Sequence, residues 1–215
     1  MRGIPVFLAV LSLAAGRARA QAGDWTPLFN GKDLTGWEHV GPGRFVVTDS
    51  GYLRTEAGLG LLWYTSRKIG NAVIRVVYRT TDKTSNSGVF IRIPAPPTEP
   101  WLPVYHGYEV QIDDSDDEYH VSGTLYSLTK ALAHPGRPGE WNALEITLDG
   151  RRTVVNLNGV KVTDYAEGDP VPPKGKWYEP DRGPPRPDEG YIGLQNHREK
   201  DVVYFKEVSV KPLRK

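Results

Sequence analysis

The stretch Gly107-Tyr108-Glu109-Val110-Gln111-Ile112-Asp113-Asp114 concentrates the groups most able to do chemistry. Apolar and polar residues alternate there with the period of a β-strand, so Tyr108, Val110 and Ile112 would point into a core while Glu109, Gln111 and Asp113 share the opposite face. Carboxyls and an amide in one row suit proton transfer and the binding of hydroxyl groups. Burying three such side chains is costly unless they meet solvent or a ligand, and the plain alternative is an ordinary wetted sheet face. Gln195 and His197 in Leu194-Gln195-Asn196-His197 fall opposite the apolar set Ile192 and Leu194, which puts them on a face the two strands could share. Arg92 would join that face if its strand pairs with the central one, because Val89, Ile91 and Ile93 read inward and Phe90 and Arg92 outward. His106 and His120 bracket the central strand and, with His197 or a carboxylate, could surround a divalent metal, although no close histidine spacing marks such a site. His39 and His134 read as loop bystanders.

The elements that must position these groups are short strands. Phe45-Val46-Val47, Tyr52-Leu53-Arg54 and Leu61-Leu62-Trp63-Tyr64 are separated by glycine-containing turns, and Ala72 to Thr80 forms the longest β-rich run. Ser87 to Ile93, Gly123 to Ser127, Tyr191 to Asn196 and Val202 to Val210 read as further strands. Asn142 to Leu148, Thr153 to Leu157 and Val160 to Val162 are joined at Asp149-Gly150 and Asn158-Gly159, dipeptides suited to hairpin turns that need positive φ. About a dozen strands with no convincing helix predict an all-β fold, a two-sheet antiparallel sandwich or jelly roll. Two Pro-rich segments, Pro94 to Tyr105 and Glu167 to Glu189, are expected as loops at the sheet rim. They carry Trp101 and Trp177, whose rings could stack on sugars or pack on their own loops. Trp25, Trp37, Trp63 and Trp141 are expected in the core.

At 215 residues the chain is long enough for one core and is expected to form a single domain over residues 21–215. A net charge of +1 gives no electrostatic reason for a nucleic-acid partner, and the absence of cysteine removes thiol catalysis and disulfides. At the N-terminus, Arg2 precedes an apolar run from Ile4 to Ala15 that ends in Ala18-Arg19-Ala20. At about 12 residues against the roughly 20 that span a bilayer, the run reads as a signal peptide over residues 1–20, cleaved after about Ala20. A periplasmic or secreted mature chain with no membrane partner follows.

Several motifs in order resemble a known family. They are Leu28-Phe29-Asn30-Gly31-Lys32-Asp33-Leu34-Thr35-Gly36-Trp37, the Gly107 to Asp114 strand, Gly123-Thr124-Leu125-Tyr126, Gly139-Glu140-Trp141-Asn142, Leu157-Asn158-Gly159-Val160-Lys161-Val162 and Gly193-Leu194-Gln195-Asn196-His197. Together they resemble the 3-keto-disaccharide hydrolase domain family from about Trp25 to Pro212. The resemblance implies a concanavalin A-like jelly roll, as in lectins and glucanases, exported in bacteria and acting on a carbohydrate substrate already oxidised at C3. A C3 ketone acidifies the C2 proton, so a base can remove it and the enolate can expel the C1 substituent. Carried over, Glu109 and His197 would do the acid/base work, with Arg92 and Lys130 near the enolate oxygen. Gln111, Asp113, Tyr126 and Gln195 would bind hydroxyls, and a divalent ion on His and carboxylate could stand in for the cation. Arg198 stands where the family commonly has glycine. A sugar-binding module with no catalysis, and a retaining β-glucanase, are the alternatives. For the latter, the Glu-x-Gln-x-Asp strand is loosely similar to a Glu-x-Asp-x-Glu strand, but its outer backbones lie about 13 Å apart by strand rise. Two-carboxylate retention needs carboxyls about 5–5.5 Å apart.

Overall fold

The computed structural model describes residues 25–213, and the signal segment expected over residues 1–20 lies outside them. In chain order the strands begin with β1 (Thr26–Pro27), β2 (Trp37–Val40), β3 (Arg44–Val47), β4 (Leu53–Glu56), β5 (Gly60–Tyr64), β6 (Ala72–Thr80) and β7 (Ser87–Ile93). A short helix α1 (Leu102–His106) follows, then β8 (Tyr108–Ile112), β9 (Asn142–Asp149), β10 (Arg152–Leu157), β11 (Val160–Ala166), β12 (Tyr191–Asn196) and β13 (Val203–Pro212). They form two antiparallel sheets, β11-β10-β9-β6-β13-β4-β3 with β1 added on β13, and β2-β5-β12-β7-β8. The expected jelly-roll sandwich is the fold observed.

Alternation decides which face is buried. Along β6, Ile74, Val76 and Tyr78 are fully buried while Arg75, Val77 and Arg79 remain half-buried on the outer face. A slip of one residue would drive both arginines into the core, so the register is strongly specified. The inner face of the smaller sheet, with Leu62, Val89, Ile91, Val110, Ile112 and Leu194, closes the core against it. The hairpin at Asn158-Gly159 forms as expected, with φ of 53° and 79° at the two turn residues.

The smaller sheet differs from a simple half-wet sheet because its outer face carries a second apolar cluster. Leu61, Trp63, Phe90 and Ile93 pack there under Val40, Val104 and Tyr191. Val104 belongs to α1, a helical turn inside a segment expected as loop, with proline in the first turn where its missing N–H does no harm. Strands β7 and β8 are consequently buried along their whole length. The segment Gly123 to Ser127, expected as a strand, instead follows β8 irregularly through one bridge, Val110 to Leu125. Trp37 and Trp63 are buried as expected. Trp25 and Trp141 instead lie half-buried, Trp25 against Arg75 and Lys211 and Trp141 against Arg79 and Lys206.

Candidate active site

Three neighbouring strands build one polar row. In the β7/β8 register Glu109 stands opposite Phe90 and Gln111 opposite Gly88. On the other side of β7, Leu194 pairs with Val89, which brings Gln195 level with Gly88. Glycine leaves a gap in the row, and the Glu109 side chain leans into it: a Cβ on Gly88 would lie 2.7 Å from Glu109 Cγ and 3.0 Å from Cδ. The carboxyl is thus held over Gly88 between two amides. The Oε1 atoms of Gln111 and Gln195 are buried and accept from no donor among the described residues. Burial pushes the Glu109 pKa up to about 8, against the opposing pull of the Gln195 amide. At neutral pH the carboxyl is mainly protonated and carries an O–H that can act as a donor.

At the end of β12 the chain turns through residues 197–201. His197 Nδ1 lies 2.9 Å from Asp201 Oδ2, and Arg198 Nε donates to the same oxygen at 2.7 Å. The turn is stapled to β4, since Thr55 Oγ1 donates to Asp201 O at 2.9 Å and accepts from Val203 N at 2.9 Å. Asp113, further along the central strand, is already engaged: it accepts from Asn86 Nδ2 at 3.0 Å and from Ser115 N and Oγ at 2.8 and 2.7 Å. Glu109, Gln111, Asp113, Gln195 and His197 all line one cleft of about 940 Å³. Tyr126 borders it from the segment beside β8, its N donating to Glu109 O at 2.9 Å. Burial and the nearby Glu109 push the Tyr126 hydroxyl pKa up, so it stays a donor.

The cleft walls are the two Pro-rich loops. Trp101, Val104 and Tyr105 come from the first, Lys176, Trp177 and Tyr178 from the second, and Trp177 is 80% exposed. The second loop is long and irregular but braced. Arg186, buried, donates to Gly107 O, Tyr105 O and Asp181 O, and its guanidinium carbon lies 5.0 Å from the Tyr108 ring centre. Arg182 donates to Pro172 O, Pro180 O and Ser127 O and pairs with Glu179. Replacing Arg186 by glutamine is expected to loosen this wall and speed amide exchange across residues 174–182 by about tenfold or more, read by hydrogen-exchange mass spectrometry, with β6 and β13 unchanged.

The sequence profile of the 3-keto-alpha-glucoside-1,2-lyase-like domain family matches residues 24–211. The chain belongs to this family. A Parabacteroides distasonis protein described as a candidate glycosyl hydrolase has a similar structure, with a TM-score of 0.70 and 26% identity over 88% of this chain and 99% of its own. Two more distant likenesses show the fold alone. The carbohydrate-binding module CBM66 of Bacillus subtilis gives a TM-score of 0.55 at 15% identity, covering 80% of this chain and 93% of its own. The β-glucanase of Bacillus licheniformis gives 0.53 at 12%, covering 90% and 100%. No curated protein matches the chain.

In this family member the cleft brings together Glu109, Gln111, Asp113, Tyr126, Gln195 and His197, the residues to which the strand pattern and the resemblance pointed, with Trp101 and Trp177 from the two Pro-rich loops. Two expected residues lie elsewhere. Arg92 sits at a bulge, where two residues of β7 face one of β12, and its φ of 55° turns it off the alternation. Its buried guanidinium donates to Pro187 O at 2.9 Å and Gly150 O at 2.7 Å, so it braces loops and does not face the cleft; Ile93 takes the outer face in its place. Lys130 is exposed, outside the cleft lining, and paired with Glu118 at 2.8 Å. Nor do the expected histidines gather around one ion. His106 lies outside the cleft on α1, and His197 is bonded to Asp201. Among the described residues, the cluster whose ligand atoms lie within 4.8 Å of one another is Asp116, Asp117 and His120 at the cleft edge, both acids exposed and Asp117 bonded to His120 Nδ1 at 2.7 Å. This set could ligate a hard divalent ion.

Sequence reasoning missed Gly88, Asp201 and the cleft-lining Arg198. A glycine inside a strand pattern is itself a sign of close approach by another group, and Gly88 could have been read that way. Asp201, in a charged turn, carried no such sign.

Proposed function

We propose that this domain cleaves 3-keto-glycosides by elimination across C1 and C2. His197 Nε2 takes the C2 proton, the C–H electrons pass to the C3 carbonyl as an enolate, and their return expels the C1 oxygen, which Glu109 protonates. The products are the enone and the free aglycone alcohol; addition of water at C1 of the enone then gives the free 3-keto sugar. The Tyr126 O–H and the Arg198 guanidinium, both lining the cleft, are the donors available to the enolate oxygen. The Gln111 and Gln195 amides bind hydroxyls, and Trp101 and Trp177 hold the leaving-group side.

The observation carrying this reading is a buried carboxyl that is protonated near neutral pH, in one cleft with a histidine whose Nδ1 is bonded to a carboxylate. A neutral acid and an unhindered base are what elimination needs, whereas retention by two carboxylates would need a second free acid on the polar row beside Glu109, and Asp113, the other acid of that stretch, is committed to Asn86 and Ser115. The test is aglycone release from a 3-keto-glucoside and its unoxidised parent, each with and without chelator. Release from the keto form alone is expected; cleavage of the parent would overturn the elimination. Binding of sugars with turnover of neither would favour a binding module, a second reading that the exposed Trp177 supports. The reading includes export: amino-terminal sequencing of protein recovered outside the cytoplasm is expected to begin near Gln21.

A further inference from the structure

We infer that Asp201 is the positioning residue that makes His197 a base, an inference that rests on the elimination reading for its catalytic consequence but not for its geometry. The Asp201 side chain is 1% exposed and accepts from Arg198 through Nε at 2.7 Å and Nη2 at 3.3 Å. A carboxyl ion-paired to a guanidinium is ionised, and an ionised carboxylate only accepts. The third contact, His197 Nδ1 at 2.9 Å, must therefore be a donor. In the neutral imidazole a single proton is present, so it sits on Nδ1 and leaves Nε2 with a bare lone pair. Nδ1 is tied back to the turn, and His197 lines the cleft with 35% of its side chain exposed.

The turn is built to hold this arrangement. Asp201 N donates to Arg198 O at 2.9 Å, and the Thr55 staple fixes the backbone of Asp201, and of Val203 at the start of β13, to β4 in the larger sheet. The imidazole is thus oriented from the larger sheet while its working nitrogen faces a cleft on the smaller one. When Nε2 accepts the C2 proton, the ring becomes a cation with both nitrogens donating, and the Asp201 carboxylate already faces the Nδ1–H. Arg198 grips both oxygens of the same carboxylate, through Nε on Oδ2 and Nη2 on Oδ1, and holds it against the ring.

The decisive experiment is nitrogen-15 NMR of His197 in the unliganded protein, alongside steady-state kinetics. The native chain is expected to carry its neutral-ring proton on Nδ1; a proton on Nε2 would overturn the inference whatever the substrate proves to be. In Asp201→Leu, which removes the oxygen that both His197 Nδ1 and Arg198 Nε contact, the preference for Nδ1 is expected to be lost and the proton to move mainly to Nε2. The expected kinetic loss is about 100-fold or more in kcat with KM within about threefold. Asp201→Glu, which keeps a carboxylate, is expected to retain the Nδ1 proton and recover part of kcat. A loss confined to KM, or an unchanged tautomer in a folded Asp201→Leu protein, would refute the assignment. Should no glycoside be turned over, the elimination reading fails while the tautomer still decides the placement of the proton; should Asp201→Leu not fold, the native and Asp201→Glu spectra decide it.

Discussion

Glu109→Gln is expected to cut turnover of a 3-keto-glycoside by about 10²–10⁴-fold and, in the same protein, to raise Tm at pH 8. In the proposed elimination, the first effect follows from removing the proton donor to the departing oxygen. The second follows from burial. Unfolded, a glutamate titrates near 4.3, whereas the folded-state pKa of Glu109 is about 8. Between those values the folded protein keeps a proton that the unfolded chain has released, so stability falls as pH rises through that window. The contribution is fully present below the lower value and lost as pH passes the upper one. Glutamine has the same shape, does not titrate and can donate to the amide oxygens that flank the gap over Gly88. The variant should therefore match the parent in Tm near pH 4 and exceed it near pH 8. The parent's rate should also fall as pH rises past about 8, where Glu109 loses its proton. Unchanged turnover would remove Glu109 from the chemistry, and a lower Tm at pH 8 would contradict its burial as a neutral acid.

Arg92→Met should give the opposite profile, a large loss of stability with little change in chemistry. The guanidinium is buried and donates to Pro187 O and Gly150 O, joining the 167–189 loop to the β9–β10 hairpin. Methionine keeps the apolar stem but leaves these carbonyls without their donor, at about 1–3 kcal/mol for each buried group. In a domain of this size that lowers Tm by on the order of 10 °C. Measured below its Tm, the variant should retain kcat within about threefold, since Arg92 does not line the cleft. A loss like that of Glu109→Gln, in a protein whose melting is unchanged, would return Arg92 to the catalytic set.

The contrast between these residues shows what a sequence pattern can transmit. Glu109, Gln111 and Gln195 were legible because period-two alternation is a local rule, and β8 and β12 obey it without interruption. Arg92 obeyed the same rule on paper, but a bulge at its own position cancelled it; the bulge arises in pairing with β12, about 100 residues away in the chain, and no local signal reports it. The burial of the polar row was equally hidden. It depends on loops that return across the sheet, so Glu109 read as solvent-facing while the fold gives it a pKa near 8. Asp201 lies four residues beyond His197, and only a turn stapled to the other sheet converts that spacing into contact.

The two arginines under the Trp177 wall grip main-chain carbonyls far more than side chains. Every amino acid supplies a carbonyl, so the anchors do not depend on which residues the loop displays. Trp177 and Tyr178 can therefore be exchanged for other residues while the loop keeps its course, and in the proposed elimination the groups facing the leaving partner can diverge without disturbing those assigned to bond breaking. Libraries confined to residues 176–178 should explore new aglycones on an intact catalytic frame.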